Sequence, residues 1–257
     1  MPSDFCAQAA RFVLKEPGSV FILTGWYIPA CDAAETDGPA GALAIGRSLD
    51  ALGFKTHYVS DGHAASLLRQ STDPERVIEF PVAGSAESEA FAADLLESYA
   101  PTLVISIERP GFTGDGTYRN MRGVDISQYS AKLDYLVMAH ARTIGIGDGG
   151  NEIGMGNLAE HIPAVGKLLD TPCITTVEHL IMASVSNWGA YGLVAALSQE
   201  TGRNLLPTVE EESLLINRLV ELGAVDGVLG KQQPTVDTFS LEENAAILER
   251  LRGIVSG

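Results

Sequence analysis

Residues 145–156 read GIGDGGNEIGMG, in which half the positions are glycine and the remainder include Asp148, Asn151 and Glu152. Glycines at that density allow close backbone approach and offer N–H groups that can bind a carboxylate, here through Gly149 and Gly150. The three oxygen-bearing side chains suit an ammonium group or a hard cation such as Mg²⁺, Mn²⁺ or Ca²⁺. A tight turn with Asn151 capping a following helix is the plain structural reading, but it requires fewer glycines. Gly145, Gly147 and Gly150 match the dinucleotide pattern G-x-G-x-x-G, and Asp170 stands where a ribose-binding acid would. A dinucleotide is nevertheless rejected, because Asp148 sits among the glycines where it would repel a pyrophosphate. No G-x-x-x-x-G-K-[ST] phosphate loop occurs, and no organic cofactor is expected.

Two further clusters carry chemistry. Residues 35–39, ETDGP, place Glu35 and Asp37 just before a helical pattern. Thr36 or Asp37 can cap that helix, with Pro39 in its first turn, which explains one acid but not Glu35 as well. Residues 108–122, ERPGFTGDGTYRNMR, hold Glu108, Arg109, Asp115, Arg119, Asn120 and Arg122. Turns recruit Gly, Pro and Asp for backbone reasons alone, yet arginine offers a planar fork for a carboxylate. The histidines at 57, 63, 140, 161 and 179 show no metal-ligand spacing. The three cysteines, Cys6, Cys31 and Cys173, form no disulfide framework or zinc knuckle, and Cys31 has no histidine nearby in sequence to activate it.

The elements that must hold these clusters alternate between short β-type runs and longer helical patterns. Strands are expected at 19–24, 55–59, 76–80, 102–107, 142–146 and 173–177, apolar throughout as buried parallel strands are. Helices are expected at 40–53, 87–100, 127–141, 178–200, 209–223 and 241–255. This order predicts an α/β fold, a mainly parallel sheet flanked by helices in a Rossmann-like three-layer arrangement, built as a single domain over 1–257. The segment 223–240 reads as a flexible surface stretch. Ligands of open α/β sheets bind at the carboxyl ends of the strands, and the three polar clusters follow three strands. In the long helical pattern, Asn187, Trp188 and Tyr191 beside Gly189 and Gly192 read first as core packing.

Composition sets the boundaries. The chain has 257 residues, 46% of them hydrophobic, enough for a sizeable core. Acids outnumber bases 33 to 17, giving a formal charge of −16, which argues against nucleic acid and anionic membrane surfaces as partners. The longest apolar runs are too short to span a bilayer. No basic start followed by an apolar run marks a secretory signal, and the cysteine usage fits a reducing cytoplasm.

ETDGP at 35–39, IER at 107–109, DGTYRN at 115–120, the 145–156 loop and SNWGAY at 186–191 occur in this order. Together they resemble the D-glutamate cyclase family, from about Thr24 to about Gly230. The likeness is to the part corresponding to the C-terminal domain of the animal mitochondrial enzymes; without their extra N-terminal domain, this sequence resembles the standalone microbial form. The resemblance implies cyclisation of D-glutamate to 5-oxo-D-proline with loss of water, hence a small acidic amino acid as partner, with a homo-oligomer as a further expectation. It supplies no residue roles, so these follow from the chemistry. Glu152 or Asp148 would be the base and Glu108 a further catalytic acid. Arg109 or Arg119 would hold the α-carboxylate, with Asn120, Asn151, Asn187 and the N–H groups of Gly149 and Gly150 orienting the substrate. A divalent cation on Glu35, Asp37 and Asp148 would polarise the γ-carboxylate. The rival readings are a metal-dependent hydrolase or phosphatase on a small acidic substrate, and a non-catalytic binding protein for an acidic amino acid.

Overall fold

Along the first strand, β1 (Ser19–Thr24), Val20 and Ile22 point to one side of the sheet and Phe21 and Leu23 to the other, all four fully buried. A strand that is apolar on both faces needs cover on both, and the computed structural model, which describes residues 2–166 and 169–257, supplies it. One face packs against α1 (Phe5–Leu14), α2 (Pro39–Ala51), α3 (Gly62–Arg69), α6 (Ser186–Thr201), α7 (Val209–Glu221) and α8 (Leu241–Ser256). The other packs against α4 (Ser85–Tyr99), α5 (Asp134–Met138) and the loop that includes Ile153, Met155, Cys173 and Val177.

The main sheet holds β1, β4 (Lys55–Ser60), β5 (Val77–Glu79), β6 (Leu103–Ile107), β7 (Thr143–Gly147) and β8 (His179–Met182), in the order β5-β4-β1-β6-β7-β8, with every pairing parallel. The chain runs outward from β1 to one edge, returns, and runs outward from β6 to the other. This is the doubly wound order, and it opens a crevice beyond the carboxyl ends of β1 and β6, where the winding reverses. A small antiparallel pair, β2 (Tyr27–Ile28) and β3 (Ala33–Ala34), lies in the loop after β1.

The α/β three-layer expectation holds, with local corrections. CITTV at 173–177 is not a strand. Its backbone pairs with loops instead: Cys173 N–H donates to Gly150 O, Ile174 N–H to Phe112 O, and Thr175 O accepts from Gly154 N–H and Gly156 N–H. The last strand is His179–Met182, in the stretch expected to begin the long helix, which starts only at Ser186. The helix expected over 127–141 shrinks to a single turn at 127–129 and the short α5, because Ala131 O is turned out to accept from the Arg109 guanidinium. Helices α1 and α3 were not anticipated.

The segment 223–240, expected on the surface, is built into the fold. Ala224, Val225, Asp226 and Val236 are buried. Val225 N–H donates to Ala34 O and Thr36 N–H to Val225 O, stitching the segment to the loop after β1. The Asp226 carboxylate accepts from Val228 N–H, Leu229 N–H, Thr235 Oγ and Thr238 N–H at 2.6–3.0 Å.

Candidate functional site

Three acids stand at the carboxyl ends of three strands. Glu108 is the first residue after β6 and Asp148 the first after β7; Asp37 ends the loop after β1. One carboxylate oxygen from each lies within 4.8 Å of the other two. Glu35, Glu152 and Asp237 complete a group of six acids. Among the described residues, no Lys or Arg forms a salt bridge with any of them. The convergence of the three loops expected from the sequence is what the structure displays. Asp237, from the 223–240 segment, had no signal in the sequence beyond being an acid.

Helix ends position this group. Asp37 caps α6, not the α2 that follows it: Oδ1 accepts from Asn187 N–H at 2.8 Å and Oδ2 from Ser186 N–H at 2.9 Å. Asn187 returns the cap, its Oδ1 accepting from Gly38 N–H at 3.0 Å and Gly41 N–H at 2.7 Å at the start of α2. Each helix therefore supplies the residue that satisfies the free N–H groups of the other. Gly41 has no Cβ because one would meet Ile107, Ala190 and Asn187 within 2.8 Å. Thr36 caps nothing here; its hydroxyl donates to Thr235 O.

The glycine loop is organised from within. Glu152 Oε1 accepts from Gly149 N–H at 2.6 Å and Asp148 N–H at 3.3 Å, and Oε2 accepts from Gly150 N–H at 2.7 Å. The N–H groups of Gly149 and Gly150, expected to bind substrate, are thus held by the protein's own carboxylate. Glu152 is 1% exposed, so its visible task is to shape the loop that presents Asp148. No helix starts at Asn151. Its Nδ2 donates to Arg119 O, while Oδ1 is buried without a partner.

The arginines expected to bind substrate also face inward or sideways. Arg109 is 1% exposed; its guanidinium pairs with Asp61 and donates to Gly25 O and Ala131 O. Glu108 and Arg109 are neighbours in sequence but lie on opposite sides of the strand end, so the pair is split between site and scaffold. Arg119 pairs with Asp115 at 3.0 Å and donates to Gly123 O. Asn120 Oδ1 accepts from Arg122 N–H and Val124 N–H within its own turn.

Electrostatics follow from burial without counter-charge. Burial is the main cause raising the carboxyls of Glu35, Asp37, Glu108, Asp148 and Asp237 above their ordinary range; neighbouring acids push the first four in the same direction, whereas at Asp237 the adjacent Asp148 and Asp37 partly offset the rise. Backbone N–H groups of Asn187, Ser186 and Gly38 partly offset this for Asp37. Glu108 adopts a left-handed backbone, φ 40°, and its Oε2 accepts from Ser186 Oγ at 2.6 Å. Three buried oxygens at or beside the group lack partners: Thr24 Oγ1, Glu35 Oε1 and Asn151 Oδ1. Unsatisfied acceptors around clustered carboxylates are a cation-binding environment. Asp37, Glu108 and Asp148 form the compact trio for a hard divalent ion; Glu35, expected as a ligand in place of Glu108, lies outside it.

A stability consequence follows. The folded chain holds protons that the unfolded chain releases, so stability falls as pH rises from the ordinary carboxylate values of 3.8–4.5 through the raised ones. Thermal melts in EDTA are expected to show a falling Tm between about pH 5 and 8, with Mn²⁺ or Ca²⁺ restoring it at the upper end. A Tm that climbs with pH over that interval would contradict the arrangement.

Comparison with known proteins adds to this geometry. The family described as "D-glutamate cyclase-like, C-terminal" matches residues 3–252. Human mitochondrial D-glutamate cyclase is 31% identical over 208 residues, covering 73% of this chain and 34% of the human protein. The chain therefore corresponds to about a third of that relative's length. A crystal structure of an exopolyphosphatase-related protein from Bacteroides fragilis superposes with a TM-score of 0.48 at 10% identity, covering 98% of this chain and 57% of the other. That likeness is too distant to bear on the chemistry.

Proposed function

Since the chain belongs to the D-glutamate cyclase-like family, we propose that this crevice cyclises D-glutamate to 5-oxo-D-proline with release of water. The observation that carries the proposal is a set of raised carboxyls, without basic partners among the described residues, at the reversal point of the sheet.

The reaction has a simple proton balance. The substrate ammonium loses two protons, one γ-carboxylate oxygen gains both, and the product water carries them away. Substrate and product bear the same net charge, so no net proton is exchanged with solvent. A site for this chemistry needs groups that hold and pass protons near neutrality, which is what burial and like-charge neighbours create in carboxyls. Asp148, half-exposed at the mouth, is placed to take a proton from the ammonium. Glu108, buried with its carboxyl pushed up by burial and by the neighbouring acids, is placed to deliver one to the departing oxygen, with Ser186 Oγ fixing its carboxyl. Glu152 holds the loop under Asp148. A divalent cation held by the carboxylates of Asp37 and Asp148, beside Glu108, would supply charge neutralisation for a substrate bearing two carboxylates, which this acidic crevice otherwise repels.

Purified protein incubated separately with D- and L-glutamate, in EDTA and then with Mn²⁺ or Mg²⁺, is expected to form 5-oxoproline from the D isomer alone and only with metal. No product from either isomer under any metal condition overturns the reading. The acid trio then favours a metal-dependent hydrolase, whose mark is phosphate release from a small acidic ester.

A further inference from the structure

We propose that Asp237 is the residue that recognises the substrate's ammonium group, and so selects amino acids over plain dicarboxylates at this site; the assignment rests on the cyclase reading above. Asp237 and Thr238 are the central residues of a tight turn closed on both sides, with Val236 N–H donating to Phe239 O and Phe239 N–H to Val236 O. Both have positive φ, 48° and 74°. Turns of this shape favour Asn-Gly, and a β-branched threonine there is strained. The strained turn is held by Asp226, a fully buried carboxylate that accepts from Thr238 N–H at 2.8 Å and Thr235 Oγ at 2.6 Å. Such over-determination is expected where a side chain must be delivered to a fixed place.

The place is the mouth of the crevice. The Asp237 carboxyl stands beside those of Asp148 and Asp37. Of the six acids, Asp148 and Asp237 alone are partly exposed; Glu35, Asp37, Glu108 and Glu152 are buried. A substrate entering from solvent therefore meets these two first. Behind them Glu35 is 6% exposed with Oε1 unpartnered, and its strongest charged neighbour is Asp237. Carboxylates this close, with an orphaned acceptor beside them and no guanidinium or lysine paired with them among the described residues, call for a cation rich in N–H donors. A primary ammonium carries three. A hard metal ion would be held on the Asp37 and Asp148 side of the crevice, which leaves Asp237 to the ammonium.

The test uses Asp237→Asn and Asp237→Gly. Asparagine and glycine both tolerate positive φ, so the turn survives in each variant while the charge is lost. Calorimetry would compare D-glutamate with glutarate, which has both carboxylates and no amine. Wild-type protein should bind D-glutamate more tightly than glutarate. Both variants should weaken D-glutamate about ten- to a hundredfold, bind glutarate as well as or better than wild type because a like charge is gone, and raise KM more than they lower kcat. Equal binding of D-glutamate by wild type and variants, or equal weakening of both ligands, overturns the assignment. Wild-type protein that shows the Asp237-dependent preference without forming 5-oxoproline would sink the cyclase reading and leave the ammonium site standing. Wild-type protein that binds neither ligand overturns both.

Discussion

Glu108→Gln is expected to lower kcat about 10²–10⁴-fold while making the protein more stable. The substitution keeps shape and keeps an acceptor for Ser186 Oγ, which reaches Glu108 at 2.6 Å. It removes a buried carboxyl whose ionised form is disfavoured first by burial and then by Glu152, Glu35, Asp37 and Asp237. The amide cannot donate a proton to a leaving oxygen, so turnover falls. It cannot ionise, so the repulsion that an ionised Glu108 exerts on Asp148 and Glu35 as pH rises is gone. The same variant should show a shallower decline of Tm with rising pH in EDTA. Steady-state kinetics and melts on one preparation decide the matter: loss of both activity and stability would mean that Glu108 is a structural residue, and retained activity would remove it from the mechanism.

Arg109→Met is expected to do the opposite: to damage the fold and leave substrate recognition alone. Its guanidinium ties together Asp61 beyond β4, Gly25 after β1 and Ala131 before α5. Removing it leaves Asp61, 2% exposed, as an uncompensated buried charge. Breaking such a pair from one side costs about 3–5 kcal/mol, a large part of the stability of an ordinary domain. Chemical unfolding should show the loss. Adding Asp61→Asn to the same chain should recover part of it, because the stranded charge is then gone. A raised KM for D-glutamate in a fully stable Arg109→Met protein would restore Arg109 as a substrate clamp.

The contrast between these adjacent residues shows where the sequence is informative. That Glu108 and Asp148 come together is legible, because each directly follows an apolar β-type run and parallel strands deliver such positions to one edge of the sheet. Asp37 is legible for the same reason at one remove. Arg109 is not, since residue order does not say which of two neighbours at a strand end faces the crevice. The glycines of 145–156 announce a special backbone, but not that Glu152 occupies it. Asp237 arrives by a turn more than two hundred residues after β1, and only pairing with residues 34–36 brings it in. The strand at 179–182 was hidden because HLIM runs into α6 with only a short break, whereas the β-branched run at 173–177 pairs with loops. Local propensity cannot tell a sheet partner from a loop partner.

The occupation of the glycine loop by Glu152 has a consequence for what this scaffold can hold. In a doubly wound fold, a glycine-rich turn after a strand is a natural seat for phosphate. Here a competing anion is tethered two to four residues from the N–H groups it binds. A short tether gives a local ligand concentration of about millimolar or more, and the tethered group forgoes no translational freedom on binding. Free nucleotides and inorganic phosphate must therefore outcompete a resident that never leaves. The chain keeps the geometry of an anion pocket while being self-inhibited toward anions, and the crevice above it is left to cations and amines.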